Sequence, residues 1–298
     1  FPRPARRGRG TRLRRRLIVK ELSKVKSVER SIITKFRKGI WSRFLEAVRV
    51  YNLISPNDRI AVCVSGGKDS FLLAKLMQEL ARHSDIPFTL EFISMNPGYN
   101  SENAEIIEEN AKLLEIPLKT FRSDIFEVTE EIGGNSPCYL CARMRRGFLY
   151  ARAEELGCNK IALGHHKSDV IETTLMGMLY GGQIQGMLPK LKSSNFNGMQ
   201  LIRPMYCIEE ADVIHWQNYN SLKFIACACK KTEGLALGEQ GYSARQEVKE
   251  IIRRVKQKNP DVESSVFKSI HNVQLDTLVG YKQGGKTYFM EKFNNDPD

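Results

Sequence analysis

The segment Ser65-Gly66-Gly67-Lys68-Asp69-Ser70 follows the apolar run Ile60–Val64, so a buried strand ends in a small, hydroxyl-rich turn carrying one cation. Gly66 and Gly67 let backbone N–H groups approach an anion, and the next residues read as a helix whose positive N-terminus faces it. This is a phosphate cradle, with Lys68 as a point charge. The spacing is not that of a Walker A loop, because Asp rather than Ser or Thr follows Lys. A second group is Cys138-Tyr139-Leu140-Cys141, two thiols one helical turn apart at a helix start, where the dipole favours thiolates. Such a pair holds zinc, holds an iron–sulfur cluster or forms a redox disulfide. Cys227 and Cys229 lie downstream, and one of them added to the pair makes a three-thiolate site that leaves one iron of a four-iron cluster open. Zinc held by all four is the alternative.

These groups need a scaffold. From residue 58 the pattern alternates: strand 59–64, helix 70–82, strand 88–95, helix 101–114, strand 118–122. It continues with helix 142–156, strand 160–163, helix 168–180, strand 200–205 and helix 209–219, which predicts an α/β fold with a parallel sheet covered by helices on both faces. Ligands in such sheets collect at the carboxyl ends of the strands. That places Ser65–Ser70, Met95 with the following Asn96-Pro97-Gly98-Tyr99 turn, and Gly164-His165-His166-Lys167-Ser168-Asp169 on one rim. His165 is expected to face the site and His166 to pack or hydrogen-bond. Of Arg143, Arg145 and Arg146, Arg145 stands one turn beyond Cys141 and is the best placed for chemistry.

The segment 31–53 reads as an amphipathic helix or helix pair packed on the sheet, with a dimer surface as its other use. Segments 245–256 and 260–271 read as helices, whereas 191–199 and the tail after 281 show no clear element. The expected organisation is a basic, disordered arm over 1–16, an N-terminal helical segment over 17–57, a nucleotide-binding catalytic domain over 58–235 and a C-terminal helical region over 236–298.

The 298 residues are 42% hydrophobic, enough for a sizeable core. No apolar run reaches the length that crosses a bilayer, and the expected location is cytoplasmic. The net charge of +12 is concentrated: eight arginines between residues 3 and 16 supply eight of those charges. This arm either tracks RNA phosphates or is a solvated tail. Seven cysteines, an odd number, suit a reducing compartment better than a disulfide framework.

Ser65–Ser70 resembles the PP-loop of ATP pyrophosphatases. Cys138–Cys141 followed by Ala142-Arg143-Met144-Arg145-Arg146-Gly147, together with Gly164–Asp169, Tyr180-Gly181-Gly182, Gly186–Leu191 and Ile202-Arg203-Pro204, resembles the tRNA 2-thiocytidine synthetase (TtcA-like) family of that group. The resemblance implies an ATP-, Mg²⁺- and [4Fe-4S]-dependent tRNA sulfurtransferase. ATP adenylates C2 of a cytidine in the anticodon loop, and sulfur from the open iron then displaces AMP. It implies Ser65, Gly66, Gly67, Lys68, Asp69, Ser70, Met95, Gly164 and His165 around the nucleotide, and Asp69 as magnesium ligand. Asp69, Arg145 and Asp169 are the catalytic candidates. Cys138, Cys141 and Cys229 would be the cluster ligands, with Cys227 as rival to Cys229. The implied partners are tRNA and a sulfur donor, either a cysteine desulfurase or sulfide, with a homodimer as one possible assembly. The family pattern has two acids where this chain has Ser168-Asp169, so one carboxylate is missing. Competing readings are a PP-loop enzyme thiolating another base, RNA or small molecule, and a non-catalytic, cluster-bearing RNA-binding or redox-sensing protein.

Overall fold

The structure, a computed structural model, describes residues 23–125, 137–225 and 244–289, apart from the side chains of 137–142. The arginine-rich arm, Cys227 and Cys229 lie outside the described residues, as do the side chains of Cys138 and Cys141. No described helix is long and apolar enough to cross a membrane.

Six strands form one sheet in the order β3-β2-β1-β4-β6-β5, where β1 is Arg59–Cys63, β2 Thr89–Asn96, β3 Leu118–Arg122, β4 Lys160–Ala162, β5 Lys190–Lys192 and β6 Gln200–Ile202. The pairs β1–β2, β2–β3, β1–β4 and β4–β6 are parallel, with Val62 beside Phe92 and Ile161 beside Leu201. Helices α3 (Lys68–His83), α4 (Ser101–Leu113), α5 (Pro137–Glu155) and α6 (Lys167–Leu179) follow β1, β2, β3 and β4, while α7 (Glu210–Tyr219) follows β6.

Alternation along β1 explains why both faces are covered. Ile60, Val62 and Val64 join one core with Phe71, Leu72 and Trp216, whereas Ala61 and Cys63 join a second with Ile93, Tyr150 and Ile161. Lys75 of α3 is wholly buried and donates to Glu29 at 2.7 Å, to Gln78 and to the Leu114 carbonyl. It thereby ties the N-terminal segment to the sheet.

Of the two readings of 31–53, a helix or a helix pair, the structure has the pair: α1 (Lys24–Ile33), which starts earlier than expected, and α2 (Ser42–Val50), joined through a π-helical turn (Arg37–Trp41). Val28, Ile32, Phe36, Ile40 and Phe44 from these pieces enter the larger core, so the apolar face is used within the chain. The strand expected over 200–205 stops at Ile202, because Pro204 has no N–H for the ladder. The segment read as loop begins with β5, which pairs antiparallel with β6 and opposes Leu191 to Leu201. The C-terminal part holds α8 (Ala244–Lys256), α9 (Val262–Ser269) and a hairpin, β7 (Gly280–Gln283) and β8 (Lys286–Phe289), joined by Gly284-Gly285.

Candidate active site

Chain reversal between β1 and α3 builds the centre of the site. Gly66 has φ +94°, and a Cβ there would lie 2.5 Å from Ile225, so both conformation and space demand glycine. Gly67 is the N-cap of α3 and supplies no side-chain acceptor, leaving the first-turn N–H groups available to an anion. Just past β4, Gly164 presses on this turn: a Cβ there would stand 3.1 Å from the Asp69 carbonyl. On the other side Tyr99 reaches over, its hydroxyl 3.5 Å from the Ser65 carbonyl, after a turn in which Asn96 Oδ1 accepts from the Gly98 and Tyr99 amides.

The helix after β4 starts differently. His166 caps α6: its Nδ1 accepts from the Asp169 amide at 3.4 Å, while Asp169 Oδ2 accepts from the His166 amide at 2.9 Å. Because Nδ1 is an acceptor, the neutral ring carries its proton on Nε2. Nε2 lies 3.7 Å from Asp69 Oδ1, a buried oxygen with no hydrogen-bond partner. His166 therefore stands between the two aspartates, buried. His165 lines the cleft with its Nδ1 unpartnered, and burial together with the nearby Arg203 charge pushes its pKa down to about 4.

A circuit of charges backs this wall. Lys68 Nζ is 3.2 Å from both Asp69 Oδ2 and Glu210 Oε1, and these carboxylates raise its pKa despite the opposing effect of burial. Lys249 of α8 bridges Glu210 at 3.1 Å and Glu172 at 3.5 Å. Arg245 joins Glu172 at 2.9 Å to Asp169 at 3.4 Å. Burial raises the Glu172 pKa against both cations, whereas Lys249 and Lys68 hold Glu210 below its ordinary value despite its burial.

The opposite wall carries Arg145 and Arg146 from α5 and Arg203 just past β6, with Leu149, Leu163 and Met187 among them. Both walls enclose a cleft of about 450 Å³ that also exposes Ser65, Asp69, Ser70, Met95, Gly164, His165 and Asp169. Arg203 donates to the Leu188 carbonyl, its Nε is buried without a partner, and burial plus the Arg146 charge lowers its pKa to about 10. Arg145 reaches the Tyr99 hydroxyl at 3.4 Å. A larger cavity of about 670 Å³, lined by Lys38, Arg43, Tyr51, Cys207 and Glu209 among others, contains none of Ser65–Ser70 and shares no lining residue with the cleft.

Residues 40–232 match the PP-loop domain family. A tRNA-cytidine(32) 2-sulfurtransferase of Syntrophotalea carbinolica is 36% identical over 77% of this chain and 86% of its own. The enzyme of that name from Aliivibrio salmonicida is 31% identical over 92% and 86%. The chain belongs to the tRNA-cytidine(32) 2-sulfurtransferase family. Its fold is similar to that of a solved U34-tRNA thiolase, NcsA from Methanococcus maripaludis, with its [4Fe-4S] cluster. The TM-score is 0.61 at 22% identity, over 83% of this chain and 78% of that one.

Within this family fold, Ser65, Asp69, Ser70, Met95, Gly164, His165 and Asp169 of the rim residues singled out from the sequence line one cleft, whereas Lys167 and Ser168 line other cavities and Lys68 is held between Asp69 and Glu210. The cysteine pair sits at the start of α5, the helix that carries Arg145 and Arg146. Sequence reasoning missed Glu172, Glu210, Arg245 and Lys249, which lie in ordinary helical runs with no local signature. It also gave Arg203 no role of its own, although a cation directly after a strand and before a proline on the ligand-bearing edge was a usable signal. Ser168 is not a vacant acid position in the fold: its Oγ accepts from the Glu210 amide at 3.3 Å and seats α7, whose Glu210 brings a carboxylate to Lys68.

Proposed function

We propose that this protein, a tRNA sulfurtransferase by family, uses ATP to adenylate C2 of cytidine 32 in the tRNA anticodon loop and replaces the C2 oxygen with sulfur. The observation that carries this reading is the uncapped start of α3, which carries Asp69 and opens on a cleft that Asp169, Arg145, Arg146 and Arg203 also line. The α3 amides and Lys68 would bind the phosphates, and Lys68 would exchange its present carboxylates for them. The C2 oxygen displaces pyrophosphate from the α-phosphorus; a sulfur nucleophile adds to C2, and the C–O bond breaks with the oxygen leaving on AMP.

The buried, unpartnered Asp69 Oδ1 fits a magnesium ion, which takes one or two carboxylates plus substrate phosphates. Cys138, Cys141 and Cys229, or Cys227 in its place, would hold a [4Fe-4S] cluster, which when bound supplies the sulfur-transferring centre. Arg145 would orient the base or AMP, and Asp169 would fix Arg245 and His166.

The test is anaerobic reconstitution with iron and sulfide, incubation with unmodified tRNA, ATP and Mg²⁺, and mass spectrometry of the digested nucleosides. Formation of 2-thiocytidine with stoichiometric AMP is expected. AMP without 2-thiocytidine would move the substrate elsewhere, and ADP as product would overturn the adenylation.

A further inference from the structure

We infer that Arg146 and Arg203 form a second anion site, distinct from the PP-loop, that takes a phosphodiester of the substrate RNA beside the nucleotide being modified. The inference rests on the RNA substrate proposed above and names the residues that would hold its backbone.

The charge pattern supplies the first argument. Lys68, Arg245 and Lys249 each have at least one carboxylate within 3.5 Å, but among the described residues no carboxylate pairs with Arg145, Arg146 or Arg203. Arg203 is the most demanding of the three: mostly buried, with Nε unpartnered and the like charge of Arg146 near it. A guanidinium does not shed its proton under ordinary conditions, and among the described residues Asp169 offsets the charge without pairing with it, so an incoming anion would complete the neutralisation. The adjoining Leu149, Leu163 and Met187 strengthen that attraction by excluding water.

Position supplies the second. In the sheet β6 lies two strands from β1, with β4 between, which sets the ends of β1 and β6 about 10 Å apart. The PP-loop leaves β1 and Arg203 leaves β6. A triphosphate seated on the α3 amides and Lys68 is thus a separate occupant, and the space between the two ends suits a nucleoside with its base toward the loop and its backbone phosphate toward the arginines. Planar guanidinium forks match phosphate oxygens in pairs, which favours arginine over lysine here.

Phosphate is the chemistry shared by RNA and ATP, and two arms separate them. Full-length reconstituted protein, Arg146→Gln and Arg203→Lys are compared for tRNA affinity across a salt series without ATP, and for affinity toward a non-hydrolysable ATP analogue. The expected result for Arg146→Gln is a tRNA Kd raised by roughly tenfold, and a log–log salt slope shallower by about 0.7 to 0.9, with the analogue's Kd unchanged within twofold. Arg203→Lys should weaken tRNA binding while keeping most of the slope, since charge remains and the fork is lost. An unchanged tRNA Kd and slope in Arg146→Gln overturns the inference, and so does a loss of analogue binding with tRNA binding intact. Because both arms read binding without turnover, a parent protein that binds tRNA but forms no 2-thiocytidine refutes the reaction proposed above and leaves this test standing.

Discussion

On the PP-loop side of the cleft each of Asp69, Asp169, Glu172 and Glu210 has at least one cation, drawn from α3 or from α8 far along the chain. On the α5–β6 side three arginines face the same space, and among the described residues they hydrogen-bond to a tyrosine hydroxyl and a backbone carbonyl. In the first wall each carboxylate already has a cation beside it, which ties α8 to the loop side of the cleft; the second stores unneutralised charge. Matched charges position groups before substrate arrives, whereas unmatched charge is stabilisation withheld until substrate brings the counter-ion.

The largest expected effect comes from removing the loop's own carboxylate. Asp69→Ala should lower AMP formation by at least about 10²-fold, as loss of a group stabilising transition-state charge does. Pyrophosphate release measured beside circular dichroism checks it, and retention of more than a tenth of the parent rate would remove Asp69 from the chemistry.

His165 links the two walls and gives the next effect. Its pKa falls from 6.5 to about 4 through burial first and Arg203 second, so the native ring is neutral where the unfolded one takes up a proton. Stability is therefore fully present above pH 6.5 and declines as pH falls toward about 4, by up to about 3 kcal/mol. Urea titrations at several pH values should show this decline weakened in His165→Gln; identical pH profiles for parent and variant would refute it.

Breaking the paired wall should cost less. Glu172→Ala leaves Arg245 and Lys249 short of a partner, but each is nearly half exposed, and water screens much of the loss. About 1–2 kcal/mol is expected, read as a melting temperature lower by several degrees. The smallest effect belongs to the bare wall: Arg146→Gln should change stability by less than about 0.5 kcal/mol, since no ion pair is lost. Equal destabilisation by the two substitutions in thermal melts would erase the contrast between the walls.

What was legible in the sequence follows the range of the interactions. Ser65–Ser70 could be read because a phosphate cradle is built from contiguous residues, and the α/β alternation because each element shows its own period. Glu210 was illegible as a partner of Lys68 because 142 residues separate them. Strand β5 was hidden by its brevity, three residues with alternating lysines, and the β7–β8 hairpin by its largely exposed surface. In the N-terminal segment the apolar spacing pointed to core residues such as Phe36, Ile40, Phe44 and Ala47 but took in the exposed Val50 and was silent about the π-helical turn that divides it.

Helix α5 has a mechanical consequence. From Cys138 to Arg146 it runs unbroken, so about 12 Å of rigid rod joins the cysteine pair to the arginine wall. A ruler of that kind fixes a separation: the place where sulfur would be handed over and the place where the substrate backbone would rest cannot drift independently. Tilting the rod re-aims both at once, so the span between them is a property of the helix and not of the loops around it.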